Sequence, residues 1–270
     1  MQIGISTASF FSRFRTEDSL AYIGSRGIEH TEVFLDTFSE YEPDFAQLLR
    51  DTAAQNHTKI VSVHALSQQF EPQLFSIGER QKEDAWQTFE KVLAVARTVG
   101  ATRYVFHGPA MLLGALKNAH LQRIAPIASE LADLAARYNV RLCWENVSWC
   151  MFSYPDFGQQ ILQACPNGNL GFTLDIKQAL RSRHDPFDYL DAMGDRLAHV
   201  HLCDATYDPQ SERYRLFLPG EGSFDFAQLE RKLREINYQG MAMIEVYSDL
   251  YRDPQQVVAC CHSMREIMNP

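Results

Sequence analysis

The 270-residue chain predicts an α/β fold: a single (β/α)8 barrel over residues 1–270. Three observations carry that expectation. Short apolar runs rich in Val, Ile, Leu or Phe alternate with longer amphipathic segments from end to end, and such runs read as buried strands. Eight strand–helix pairs at roughly 34 residues each fit the usual size of this barrel. Finally, six acidic or imidazole side chains stand where strands should end. They are His64 in KIVSVHA, His107 in RYVFHG, Glu145 in RLCWEN, Asp175 in LGFTLD, His201 in AHVHLCD and Glu245 in MAMIEV. Parallel strands in one closed ring bring all six to the same rim, where active sites of such barrels lie. A doubly wound open sheet uses the same alternation. Against it, no GxGxxG follows the first strand, and an open sheet would concentrate its chemistry at one switch point.

The elements follow in order. QIGIST is the first strand, and Thr16 is placed to cap a helix over 16–27 that Gly27 stops. IEHTEVFL is the second strand and PDFAQLLRDTAAQN the second helix, with proline near its first turn. KIVSVHA leads through a long loop to a helix over 78–100. There Trp86, Phe89, Val92, Leu93 and Ala96 recur at three- and four-residue spacing as one apolar face. TRYVFHG precedes a helical segment over 118–139 that Pro126 should start or kink. RLCWENV, NLGFTLDI, LAHVHL and GMAMIEVY complete the strands, with helices near 156–164, 186–193, 225–236 and 254–268. His30, His57, His120, His184, His199 and His262 fall on surfaces, helices or outward strand positions. His199 is expected to point away from His201.

A hydrophobic content of 46% is enough for one large core, and no Pro/Gly/Ser-rich linker divides it. The start, MQIGISTASFF, lacks a basic n-region and reads as a strand, so no secretory signal is expected. No apolar run approaches the ~20 residues that a bilayer span needs. Six cysteines without CxxC or paired spacing predict reduced thiols and a cytoplasmic location. A net charge of −9 disfavours nucleic-acid and membrane partners and suits carboxylates gathered around a cation.

Glu145, Asp175, His201 and Glu245 would present three carboxylates and one imidazole to a shared point. That oxygen-rich set suits Mn²⁺, Mg²⁺ or Co²⁺, with Zn²⁺ a further option. Three converging carboxylates need a proton or a divalent cation between them. His64 and His107, with Glu145, offer ligands for a second, softer cation of the zinc type; otherwise they are substrate contacts. Further candidate substrate contacts are Glu32, Lys177, Gln178 and Arg213, with Arg215 beside it. Trp149, Trp144, Phe10 and Phe11 are candidate pocket walls or ordinary packing, and Asp204 a candidate orienter of a ligand or substrate.

At these residues the chain resembles the xylose-isomerase-like TIM barrels, over nearly its whole length. The carriers are WEN at Glu145, LDIKQ at Asp175, HVHLCD at His201, PGEGSFDF beyond it and IEV at Glu245. The resemblance implies one divalent cation on Glu145, Asp175, His201 and Glu245, with Glu145 and Glu245 as an acid/base pair. HA at His64 and FHG at His107 are similar to the endonuclease IV branch, where the matching histidines hold zinc. Two departures stand out. Gln178 occupies the place of a histidine common to both branches, and the Asp-x-His element of the nuclease branch is missing from YRLFLPGEG. The expected activity is therefore a metal-dependent isomerase or epimerase acting on a ketose or keto-polyol by proton transfer through an enediolate. An endonuclease IV-like phosphodiesterase and a non-catalytic sugar-binding barrel are the alternatives. The expected partner is a small sugar or polyol, and the barrels can associate as homo-oligomers.

Overall fold

The computed structural model describes residues 1–110 and 117–269. Eight parallel strands close a barrel: β1 (Gln2–Ser6), β2 (His30–Leu35), β3 (Lys59–Ala65), β4 (Arg103–Phe106), β5 (Arg141–Glu145), β6 (Leu170–Asp175), β7 (Leu197–Leu202) and, after a hairpin, β10 (Met241–Ile244). β10 pairs with both β7 and β1, which shuts the ring. Between the strands run α1 (Thr16–Ser25), α2 (Pro43–Gln55), α3 (Glu79–Val99), α4 (Lys117–Arg137), α5 (Asp156–Ala164), α6 (Ile176–Arg181), α7 (Pro186–Met193), α8 (Phe226–Glu235) and α9 (Gln255–Ile267). The expected single (β/α)8 barrel is the observed one.

Local signals set most boundaries. α3 buries Phe89, Val92, Leu93 and Ala96, with Trp86 half-buried at the edge of the same face, and it ends at Gly100 with φ 80°. Each fully buried large apolar side chain contributes about 2–3 kcal/mol before chain entropy is set against it. α2 begins at Pro43, whose missing N–H costs nothing there. One signal acts differently from expectation, and one of the two readings of Pro126 is excluded. Arg15, not Thr16, holds the N-cap position of α1; the Thr16 hydroxyl instead donates to Glu40 at 2.9 Å, tying α1 to the loop after β2. α4 starts well before Pro126 and carries that proline inside it.

The barrel interior is polar where bulky branched side chains commonly fill it. Glu32, Ser62, Thr173, His199 and His201 are buried there. His199 corrects the sequence expectation: it faces the same interior as His201, because residues two apart on a strand share a face. Lys177 lies in the first turn of the short α6, a helix that the apolar periodicity did not signal. All six cysteines are free and buried. No helix among the described residues is long and apolar enough to cross a membrane.

After β7 the chain forms an antiparallel hairpin, β8 (Asp204–Asp208) with β9 (Arg213–Phe217), which the sequence reading treated as loop. Asp204 is its anchor rather than an orienter of ligand or substrate. Its carboxylate accepts from the backbone N–H groups of Ala205, Gly220, Gly222 and Phe224 at 2.7–2.9 Å. Gly222 is required there, since a Cβ would lie 2.4 Å from the Asp204 carboxylate. Asp204→Ala should cost about 3 kcal/mol, because four N–H donors lose a charged acceptor. A chemical-denaturation midpoint unchanged from wild type would show that the anchor is dispensable.

Candidate metal centre and active site

The sheet delivers its acidic residues to one point. Glu145 ends β5, Asp175 ends β6, His201 lies one residue before the end of β7, and Glu245 follows β10. Asp175 and His201 are direct neighbours in register. The Glu245 N–H donates to the Leu202 carbonyl at 3.1 Å, so the β7–β10 ladder continues to the rim. One ligand atom from each of the four residues falls within a mutual distance of 4.8 Å. His201 Nδ1 lies 3.0 Å from Glu145 Oε1, 3.0 Å from Glu245 Oε2 and 3.6 Å from Asp175 Oδ2.

Neighbouring side chains hold these groups in place. The Asn146 amide brackets the Asp175 backbone, accepting its N–H at 2.7 Å and donating to its carbonyl at 2.9 Å. That clamp couples the ends of β5 and β6. Asp175 also caps α6: its Oδ1 accepts the Gln178 N–H at 2.8 Å, which leaves Oδ2 facing the cluster. On the opposite edge of the His201 ring, Nε2 lies 3.1 Å from Glu32 Oε1. Glu32 is fully buried, lies 2.9 Å from His199 Nε2 and accepts from Ser62 at 2.7 Å. A carboxylate at Nε2 favours the tautomer whose Nδ1 lone pair faces the cluster.

Charge dominates the electrostatics. Burial pushes the Glu145 carboxyl up, but His107 and His201 beside it outweigh that and hold it well below the usual carboxylate range. Burial likewise opposes ionisation of Glu245, yet His201, Lys177 and His64 hold it low. His201 goes the other way: burial lowers it, while Glu245, Glu32, Asp175 and Glu145 raise it well above an ordinary imidazole. Lys177 is buried against the same group, its Nζ donating to Asp175 and, at 2.8 Å, to Glu245 Oε1. Glu245 Oε2 accepts no hydrogen bond among the described residues, although it lies 3.0 Å from His201 Nδ1. An unsatisfied buried carboxylate oxygen beside two more carboxylates and an imidazole fits a hard divalent cation.

His64 and His107 form an adjoining group with Glu145. Their Nε2 atoms are 2.8 Å apart, and His107 Nε2 is 2.7 Å from Glu145 Oε2. Glu71, which the sequence reading passed over, sets His107 from behind by accepting the N–H groups of His107 and Gly108 at 2.8 and 3.0 Å. Trp149 packs edge-on against His107, with ring centroids 5.8 Å apart. Phe34 does the same to His64 at 5.2 Å. Trp144 and Phe10 are core residues, while Phe11 is exposed.

The remaining expected contacts divide. Gln178 turns its amide oxygen to Ser148, accepting from its hydroxyl at 2.9 Å. Lys177 sits within the acidic cluster, and Glu32 lies beneath His201 rather than at the rim. Arg213 is exposed at the start of β9, opposite Asp208, and the geometry does not bring it to the cluster. Lys177 and Asn146 were visible as neighbours of site carboxylates. Glu71 and His199 carried no such signal, since their partners are distant in sequence.

With this geometry in hand, comparison places the chain among known proteins. The family model for the xylose isomerase-like TIM barrel matches residues 18–266, and the chain belongs to that family. Fructoselysine 3-epimerase of Shigella flexneri is 25% identical over 136 residues, covering 49% of this chain and 48% of its own length. 3-Dehydroshikimate dehydratase of Pseudomonas aeruginosa is 27% identical over 129 residues, covering 46% of this chain and 20% of its own length. The chain thus matches less than half the length of these curated relatives. Among solved structures, a D-tagatose 3-epimerase-like protein superposes with a TM-score of 0.81 at 21% identity, covering 100% of this chain and 98% of its own. The IolI protein with a bound zinc atom superposes at 0.80 and 17% identity, covering 99% and 98%. At such identities the solved structures bear on the fold alone.

The Glu32 arrangement yields a direct test. Glu32→Gln should weaken divalent-cation binding roughly 10–100-fold, since the carboxylate that orients His201 is lost. Calorimetric titration of the chelator-stripped protein with Mn²⁺ measures it, and an unchanged affinity would remove Glu32 from that role.

Proposed function

We propose that this chain is a divalent-metal-dependent sugar isomerase or epimerase acting on a ketose or keto-polyol. The observation that carries the reading is the placement of Glu145 and Glu245 at the ends of the outer strands of the quartet β5, β6, β7 and β10, with Asp175 and His201 between them. Each glutamate keeps an oxygen 3.0 Å from His201 Nδ1. Two carboxylates approaching one point from separate strands suit removal of a proton from carbon on one side and its return on the other.

Glu145, Asp175, His201 and Glu245 are the proposed metal ligands. A bound divalent cation would supply Lewis acidity toward adjacent carbonyl and hydroxyl oxygens of the sugar. The chain's own groups perform the proton transfer. Glu145 and Glu245, both held ionised, act as bases. His107, 2.7 Å from Glu145 Oε2, and His64 Nδ1, 3.7 Å from Glu245 Oε2, stand beside each base. From there they can hold a substrate hydroxyl or steady the proton taken up. Trp149 walls the His107 side.

The named epimerase relative supports this reading. The dehydratase relative supports a second, in which the same proton removal is followed by loss of hydroxide. Solvent deuterium separates them: an epimerase or isomerase returns labelled sugar of unchanged mass apart from the label, whereas a dehydratase releases water.

Glu145→Gln and Glu245→Gln should each lower turnover by about 10²–10⁴-fold. Circular dichroism should report a native fold in both. Full activity in either variant, on a sugar that the wild type turns over, removes that glutamate from the mechanism. Stripping the metal with a chelator should abolish turnover, and Mn²⁺, Co²⁺ or Zn²⁺ should restore it; activity that survives stripping would defeat the metal-dependent reading.

A further inference from the structure

Lys177 is the one lysine embedded in the acidic group among the described residues. It is 2% exposed, and its Nζ donates to Asp175 Oδ2 and Glu245 Oε1, on two of the four proposed ligands. The choice of oxygens matters. Asp175 Oδ1 is committed to the Gln178 N–H as the cap of α6, so Oδ2 is the oxygen left to face the cluster. That same oxygen faces His201 Nδ1 at 3.6 Å. A metal ion reaching Asp175 must therefore compete with the ammonium for a single atom.

We infer that Lys177 is the resident cation of the metal-free site. It supplies the positive charge between Asp175 and Glu245 until a divalent ion displaces it, and it thereby sets the affinity of the site for metal. The inference rests on the metal-ligand reading proposed above. Without a counter-charge, buried carboxylates at this spacing repel one another and lose hydration, which costs stability. A buried ammonium removes that cost in the empty state, so the empty barrel is stable and metal binding is correspondingly weaker. A displaced ammonium also has a place to go. Its Nζ already lies 5.8 Å from the centroid of the half-exposed Tyr247 ring, whose face attracts cations. Arg181 stacks on the same ring at 4.9 Å and donates to the Tyr247 hydroxyl, which fixes the ring.

The test uses the full chain stripped with chelator and titrated calorimetrically with Mn²⁺, alongside thermal unfolding with and without that ion. Lys177→Met should raise Mn²⁺ affinity at least about tenfold, as expected when a competing bound cation is removed. Its melting temperature should fall below the wild-type value without metal and return to the wild-type value at saturating Mn²⁺. Lys177→Gln, which keeps a donor but no charge, should behave alike. If a variant folds only with Mn²⁺, the inference is supported. If it folds under neither condition, or loses equal stability with and without metal, Lys177 is simply structural and the inference fails. Affinity equal to or below wild type also overturns it. A wild-type protein that binds none of Mn²⁺, Co²⁺ or Zn²⁺ would instead overturn the metal-ligand reading itself.

Discussion

The convergence of buried carboxylates on His201 is the constraint around which this barrel is organised. Glu32, Glu145, Asp175 and Glu245 all approach one imidazole in an interior nearly closed to water. Anions in such surroundings interact far more strongly than at a surface, so they demand compensating charge. Lys177, His201 and His64 provide it, from α6, β7 and β3. A packed apolar core would stabilise the barrel without this tension. The polar filling around His201 is therefore not a device for stability.

A second set of carboxylates works on the backbone alone. Asp204 gathers the N–H of Ala205 in β8 and three more from the loop after the hairpin, and Glu71 gathers those of His107 and Gly108. Asp175 does both kinds of work, one oxygen capping α6 and the other facing the cluster. Rim loops carry few apolar contacts of their own, so such charged acceptors keep the ligand-bearing strand ends in register. Gly108, at φ 76° against the face of Trp144, shows how little space remains once they are set.

Much of this was legible in the sequence. The alternation of apolar runs named every barrel strand, and the residue at each strand's end named the cluster. Where the reading missed, the physical reason is specific. His199 was turned outward by a slip in the two-residue period. The β8–β9 hairpin has exposed or half-exposed residues along most of its length and so shows no apolar alternation. Asp204 reads as an orienter of a ligand or substrate because it follows His201 closely, yet three of its four partners lie 16 to 20 residues onward. Gln178 reads as a substrate contact from its place beside Asp175; that its amide oxygen accepts from Ser148, beyond β5, no local pattern could show.

By itself the sequence determined the barrel, its strand order along the chain and the identity of the acidic and imidazole groups at its mouth. Those properties follow from local periodicity and from the parallel direction that alternating strands and helices impose. Tertiary structure alone decided which charges meet. Lys177 comes to lie between Asp175 and Glu245, and Glu32 beneath His201 from 169 positions away, because β1 pairs with β10 and closes the ring. No local pattern encodes a contact of that range, since pairing across a closed ring depends on every strand between.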